Sequence, residues 1–406
     1  MHSSRKLRIA IDCQITDAQQ GIGTAFLALA NALSQSQRND QEYTFLVRRE
    51  IRDWLLPYIF GPCRLQVIGG PQFPKLRRAV RSIAPIRFLW SKLRSRTFTV
   101  PASDGSLESG TFDLVHFPTQ LGYLTNLPSI YQPWDLQHLH YPQFFSKAGF
   151  NNREKLYRAL CKQAAFVCVQ TEWTKQDVMQ NYAIAPEKVV VIRWGSVFDA
   201  YVAPSDDAKQ GTLRKYGLPK QFFFYPAVTW PHKNHECIIR ALEILKRDSG
   251  RASHVYFTGG TTEFRSKLDD LARELRVADQ LHYLGFVTPE ELQAISASAT
   301  AMIFPSRFEG FGLPILEAFQ ARVPVLCSKA SVLPEVAQDG AAYFDPESPA
   351  ELAPLMLKAL DDSSFRKTLI EKGTETLSKY SMKDTAANFQ ALYARTAELR
   401  GVTRGR

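Results

Sequence analysis

Nowhere in these 406 residues does an apolar run approach the ~20 residues that a membrane-spanning helix requires, so a bilayer-crossing segment is not expected. The basic N-terminus lacks both a long apolar core and a small-residue cleavage site, so secretion is not expected and the cytoplasm is the default location. Cysteine is scarce. Its six copies, at 13, 63, 161, 168, 237 and 327, show no closely spaced Cys/His set, which excludes a zinc motif. Several lie in apolar runs such as Phe166-Val167-Cys168-Val169, the setting of buried thiols in a reducing compartment. Low hydrophobicity with high charge, the mark of disorder, is also missing: 45% of residues are hydrophobic and 22% charged.

What is present is length for two cores of about 200 residues each, and a formal charge of +10 that favours anionic partners. Leu7–Asp12, Tyr43–Val47, Leu65–Ile68, Leu114–Phe117 and Ala165–Val169 read as strands, with a glycine loop Gly21-Ile22-Gly23-Thr24 after the first and a helical pattern from Ala25 to Leu33. A second series follows at 222–225, 254–257, 281–284, 301–304 and 323–326, with helices expected over 234–247, 262–275, 289–297, 313–322 and 349–360. Strands alternating with crossovers predict an α/β chain of two Rossmann-like, doubly wound domains. The divisions expected are 1–200, 201–382, and a last helix from 383 that belongs to either domain, with a linker over 196–212.

Acidic residues are absent from Pro71 to Val100, where Lys75, Arg77, Arg78, Arg81, Arg87, Lys92, Arg94 and Arg96 interleave with Val80, Ile83, Ile86, Phe88, Leu89, Trp90 and Leu93. Such a segment suits an anionic membrane surface, and equally a helix packed on the first domain; Pro85 opposes one unbroken helix.

The densest chemical signal is Pro305-Ser306-Arg307-Phe308-Glu309-Gly310-Phe311-Gly312-Leu313-Pro314-Ile315-Leu316-Glu317. A strand ends at Phe304, glycines form a permissive loop, and Pro314 fits the first turn of a helix whose free amides suit a diphosphate. Glu309 precedes that helix and Glu317 is expected near its start. Each carboxylate can accept two hydroxyl hydrogen bonds. Either glutamate alone reads as an ordinary solvated acid; the paired spacing argues otherwise. Lys233, after the strand ending at Tyr225 and just before a helix, is placed to neutralise phosphate.

These runs resemble the paired-glutamate motif of retaining glycosyltransferases of the GT-B fold, family GT4, and the segment Tyr225–His235 resembles the bacterial polysaccharide mannosyltransferase branch. The resemblance implies two Rossmann-like domains facing a central cleft and hexose transfer, with GDP-mannose the expected donor and a glycan or polyprenyl-linked glycan of surface polysaccharide as acceptor. UDP-glucose, another UDP-hexose or dTDP-rhamnose stay open as donors. By the resemblance Glu309 contacts the transferred sugar, Glu317 the ribose, and Lys233 the diphosphate. Gly310, Phe311, Gly312 and Leu313 bring loop amides to sugar and phosphate, while Phe286 and Val287 border the base. Many relatives carry an arginine where this chain has Ala227, so Arg307 or Arg193 becomes the second positive contact. Gly21 and Gly23 lie beside the donor in the family. A histidine common before the aspartate is replaced here by Trp134, which makes Asp135 and His138 the replacement candidates and His116 a lesser one for the cleft floor. A structural cap and a buried histidine compete with those roles.

Attack from the front face, rather than a lasting enzyme–sugar bond, is implied. No Asp-X-Asp segment occupies a donor loop, so metal independence is expected and no cofactor beyond the donor. An NAD-dependent epimerase would need a dinucleotide loop that Gly21–Thr24 does not supply. A basic nucleic-acid-binding protein and an inactive homologue are the nonenzymatic rivals; nucleic acid is not the expected partner. Peripheral attachment at the inner face of the cell membrane would follow from the 71–100 segment.

Overall fold

The computed structural model describes residues 5–13, 15, 21–68, 98–109 and 112–404, with side chains through Leu399. Most of the basic, apolar segment at 71–100 falls outside the described residues, as do residues 16–20. The chain divides into two compact units, one of Met1–Arg193 with Lys383–Arg406, the other of Trp194–Met382.

The first unit holds a seven-stranded sheet of β1 (Leu7–Cys13), β2 (Gln41–Val47), β3 (Cys63–Val67), β4 (Leu114–Phe117), β5 (Ser129–Tyr131), β6 (Phe166–Val169) and β7 (Val189–Val191). Their order is β3-β2-β1-β4-β5-β6-β7 and every pairing is parallel. Parallel strands need crossovers that cover both faces, so central strands are apolar on both sides. All four residues of β4 and of β6 are accordingly buried, whereas the edge strand β3 buries Cys63 alone. The helix after β1 spans Gly21–Ser34, so Gly21 and Gly23 form its first turn rather than the loop expected from the sequence. Neither has the positive φ of a glycine turn.

The helix Met382–Arg404 supplies the cover over part of this sheet. Phe389 and Tyr393 are buried against the His116 ring, at 5.0 and 5.8 Å between centroids, and the Tyr393 hydroxyl lies 3.0 Å from His116 Nδ1. Gln390 Nε2 donates to the Tyr43 hydroxyl and Gln41 Nε2 donates to the Gln390 carbonyl, each at 3.0 Å. Burial lowers the His116 pKa to about 3, so the ring is neutral. His116 is therefore a core residue, not the floor of an open cleft.

The second unit repeats the pattern with β8 (Phe223–Pro226), β9 (Val255–Thr258), β10 (Leu281–Tyr283), β11 (Ala301–Phe304), β12 (Val325–Ser328) and β13 (Ala341–Phe344). The parallel order is β10-β9-β8-β11-β12-β13. Chain order reverses between β8 and β11, and open α/β sheets bind ligands in the crevice at the carboxyl ends of such strands. The helix Asp206–Tyr216 occupies much of the expected linker: Ser205 caps its N-terminus and Gly217 ends it in a left-handed turn. All six cysteines are free and buried. Among the described residues no helix is long and apolar enough to cross a membrane.

Candidate functional site

The strands β8 and β11 are hydrogen-bonded neighbours, and the chain leaving each carries one charged group of the expected site. After β8 the backbone runs to a short turn, Pro231–Lys233, and Asn234 takes a left-handed φ of 56° before the helix His235–Ser249 begins. After β11 it runs to Gly312, whose φ of 104° opens the helix Leu313–Gln320. A side chain at Gly312 would be strained by that φ and would press on Leu333, 3.0 Å from a Cβ placed there.

These two loops bring Lys233 Nζ to 2.6 Å from Glu309 Oε1, with the side chains 21% and 12% exposed. The pair is held from several directions. Glu309 N–H donates to Ser331 Oγ at 3.0 Å, and Ser331, from the segment after β12, donates back to the Glu309 carbonyl at 3.2 Å. Asn234 Nδ2 donates to the carbonyls of Pro305 at 3.0 Å and Pro346 at 2.8 Å. The Tyr225 hydroxyl donates to the Lys233 carbonyl at 3.0 Å. Ser331 was not singled out from the sequence, and Tyr225 entered only as the end of a strand and the first residue of the segment Tyr225–His235, with no role of its own.

Glu317 is the fifth residue of its eight-residue helix, not near its start, and it is 7% exposed. Burial alone raises its pKa to about 7. A carboxyl kept in an apolar setting, with no charged neighbour among the described residues to offset its burial, is suited to ligand hydroxyl groups. Gly310, Phe311 and Leu313 lie where expected, between Glu309 and the helix start; Phe311 and Leu313 are buried and support the loop by packing.

A second group of loops lies at the carboxyl ends of β8, β9 and β10. Thr262 N–H donates to Thr229 Oγ1 at 2.7 Å, its hydroxyl donates to the Thr229 carbonyl at 2.6 Å, and Gly259 N–H donates to the Gly285 carbonyl at 2.8 Å. Phe286 is 54% exposed, and its ring lies 3.3 Å from a Cβ placed on Gly260. Val287 is half-buried beside it. An exposed ring beside a side-chain-free backbone is a stacking platform.

The remaining candidates have other partners or lie in the first unit. Arg307 is committed: its guanidinium makes a two-pronged pair with Glu347, with Nη2 3.2 Å from Oε2, and Nη1 donates to the Pro231 carbonyl at 3.2 Å. It braces the lysine turn instead of presenting a charge to a diphosphate. Arg193 is exposed and belongs to the first unit, whereas Lys233 and Glu309 belong to the second.

His138 is fully buried, with Nε2 3.1 Å from Glu154 Oε2, and Tyr182 donates to the same oxygen at 2.9 Å. Its pKa is lowered, first by burial. That is a structural histidine, not one poised over a sugar. Asp135 Oδ1 accepts from Gln137 N–H at 3.0 Å and so opens the short helix Gln137–His140. Trp134 is buried in a left-handed conformation, φ 68°, with its indole N–H donating to the Pro118 carbonyl at 2.8 Å. Replacing His138 with Leu should lower thermal stability by roughly 1–3 kcal/mol, because Glu154 and Tyr182 lose a buried partner, while kcat/KM changes less than threefold. Parallel melting and rate measurements check this; a large rate loss in a folded variant would return His138 to the chemistry.

The fold agrees with what comparison with known proteins finds. The profile of the family described as Glycosyl transferases group 1 matches residues 209–376. The chain is 26% identical over 248 residues to O-antigen chain mannosyltransferase B of Escherichia coli, a match covering 60% of this chain and 64% of that one, short of two thirds of its length. It is also 26% identical over 309 residues to D-inositol 3-phosphate glycosyltransferase of Corynebacterium glutamicum, covering 70% of this chain and 73% of the relative. Among solved structures, Anabaena HepE in complex with UDP and glucose superposes with a TM-score of 0.72 at 16% identity, over 96% of this chain and 100% of that one. The family profile thus covers most of the second unit, and the likeness to solved structures shows the fold, the GT-B arrangement of two Rossmann-like parallel-sheet domains.

Among the described residues no three His, Cys, Asp or Glu side chains gather in a way that could hold a metal ion.

Proposed function

We propose that this protein transfers a hexose from a nucleoside diphosphate sugar to a glycan or lipid-linked glycan, with retention of anomeric configuration. The observation that carries this reading is the Lys233–Glu309 pair at the switch between β8 and β11. In the unliganded site each charge answers the other. A bound donor offers both a better partner, phosphate oxygens for Lys233 and sugar hydroxyls for Glu309. As the bond from the anomeric carbon to the diphosphate breaks, negative charge grows on the leaving group, where Lys233 and the amides opening the helix Leu313–Gln320 stabilise it. Glu309 then holds the hexose rather than attacking it. Glu317 accepts the ribose hydroxyls and Phe286 stacks on the base.

GDP-mannose is the donor we favour, supported by the similarity to an O-antigen chain mannosyltransferase. A UDP-hexose is the second reading, supported by likeness to a protein solved with UDP and glucose. Isothermal titration with GDP-, UDP- and dTDP-sugars separates the two, since only one base should bind at micromolar strength. Transfer should proceed at an unchanged rate in excess EDTA, because lysine and helix amides answer the phosphate charge. Failure of every nucleotide sugar to bind would overturn the proposal.

A further inference from the structure

The turn that carries Lys233 is tied down at three successive carbonyls. Arg307 Nη1 donates to the Pro231 carbonyl at 3.2 Å, Arg307 backbone N–H donates to the His232 carbonyl at 2.8 Å, and the Tyr225 hydroxyl donates to the Lys233 carbonyl at 3.0 Å. Arg307 stands two residues before Glu309, so one residue joins the lysine turn to the glutamate loop through both its backbone and its side chain. Glu347 fixes the other side of the guanidinium plane, and Glu236 lies 3.9 Å from Nη2.

Tyr225 closes the opposite side. Its hydroxyl has one proton, which the Lys233 carbonyl takes, so Ser306 Oγ, 2.9 Å away, donates to the phenol oxygen. Ser328 Oγ in turn donates to the Ser306 carbonyl at 2.6 Å. The relay crosses the carboxyl ends of β8, β11 and β12, and Tyr225 and Ser306 are both fully buried. Burial makes these bonds costly to lose and fixes their geometry.

A lysine on a four-carbon stem has no preferred place of its own. What gives Nζ its position against Glu309 is the backbone from which it projects, and that backbone is held by Arg307 and Tyr225. We infer that Arg307 and Tyr225 are positioning residues, which set the Lys233–Glu309 spacing needed for donor cleavage without touching the donor. The inference rests on the proposed sugar-transfer function. A lysine displaced by about 1 Å still meets a diphosphate through its flexible stem, but it answers the charge of the departing group less well, so turnover suffers more than binding.

The test is a double-mutant cycle in the full chain, with donor consumption and nucleoside diphosphate affinity as readouts. Tyr225→Phe and Arg307→Lys, each alone, should lower kcat by about tenfold or more while KM for donor shifts less than about threefold. In a Lys233→Ala background the same substitutions should have little further effect on kcat, because the group through which they act is gone. Arg307→Lys keeps the charge but not the fork, and it stands in if Tyr225→Phe does not fold. Equal losses with and without Lys233 would overturn the positioning role, as would a loss confined to KM. If the unaltered protein consumes no nucleotide sugar while binding none, it is the function itself that fails, and this inference falls with it.

Discussion

Glu309→Ala is expected to lower sugar transfer on the order of 100- to 1000-fold, and Lys233→Ala to do the same, since each removes a group that meets the donor where charge moves. The two variants should differ in what remains. Without Lys233 the diphosphate loses its cation, so both donor and free nucleoside diphosphate bind more weakly. Without Glu309 the hexose loses its hydroxyl acceptor, so the sugar nucleotide loses affinity while the free nucleoside diphosphate does not. Stability follows a separate rule. The pair is largely buried, at 21% and 12% side-chain exposure, so removing one partner strands the other's charge. A loss of about 1–3 kcal/mol is expected for either single change, lower than for a fully buried pair because both side chains keep some contact with water. The double variant should recover part of it. Denaturant unfolding of all four proteins beside titration with donor and nucleoside diphosphate measures both effects. Equal donor affinity in Glu309→Ala and the unaltered protein would remove Glu309 from the site.

Glu317→Gln should stabilise the empty protein and weaken it as a donor binder. In the folded chain the Glu317 carboxyl holds its proton up to about pH 7, against an ordinary value of 4.5. The folded state thus binds more protons than the unfolded state between those pH values, and stability falls as pH rises through that window. Below pH 4.5 the group is neutral in both states and no penalty exists; above pH 7 the full cost of a buried charge is present, about 3 kcal/mol at roughly 1.4 kcal/mol per pH unit. Glutamine carries no such charge. The variant should match the unaltered protein near pH 4 and exceed it by about 3 kcal/mol at pH 8. Donor binding runs the other way, because an ionised carboxylate accepts two ribose hydroxyls where a neutral acid must also place a proton. Affinity of the unaltered protein should therefore drop as pH falls below 7, and that of Glu317→Gln should be low and flat. A pH-independent affinity between 5.5 and 8.5, the range spanning this transition, would sink the ribose role.

The strands on which the site stands were legible because central parallel strands leave nearly unbroken apolar runs. Leu114–Phe117 and Ala301–Phe304 match β4 and β11 in full. Three strands were not read: β5 and β7, of three residues each, and β13, which follows a glycine-containing turn; β10 is as short and was read. The helix Asp206–Tyr216 hid because its polar sequence buries Thr212 alone, so no apolar stripe marks it. The family resemblance placed Glu309 and Lys233 on one ligand, and each follows a strand; that those strands, β8 and β11, are neighbours is seen in the fold. Arg307 was misread for a related reason. An arginine beside a phosphate loop suggests an anion contact, and its true partner, Glu347, is forty residues away in sequence. His138 was ambiguous, since a histidine that lines a ligand site and one buried against Glu154 look alike until the helix Lys147–Gln163 is placed.

The first unit is built from two separate stretches of chain, with the whole second unit inserted between them. A ribosome therefore delivers all seven strands of the first sheet, then an entire second domain, before it delivers the helix bearing Phe389, Gln390 and Tyr393. Until that moment His116 lacks Phe389 and Tyr393, and Tyr43 and Gln41 lack Gln390. The order of synthesis thus favours maturation of the second unit first, and it leaves the first unit dependent on the helix Met382–Arg404 to close its core.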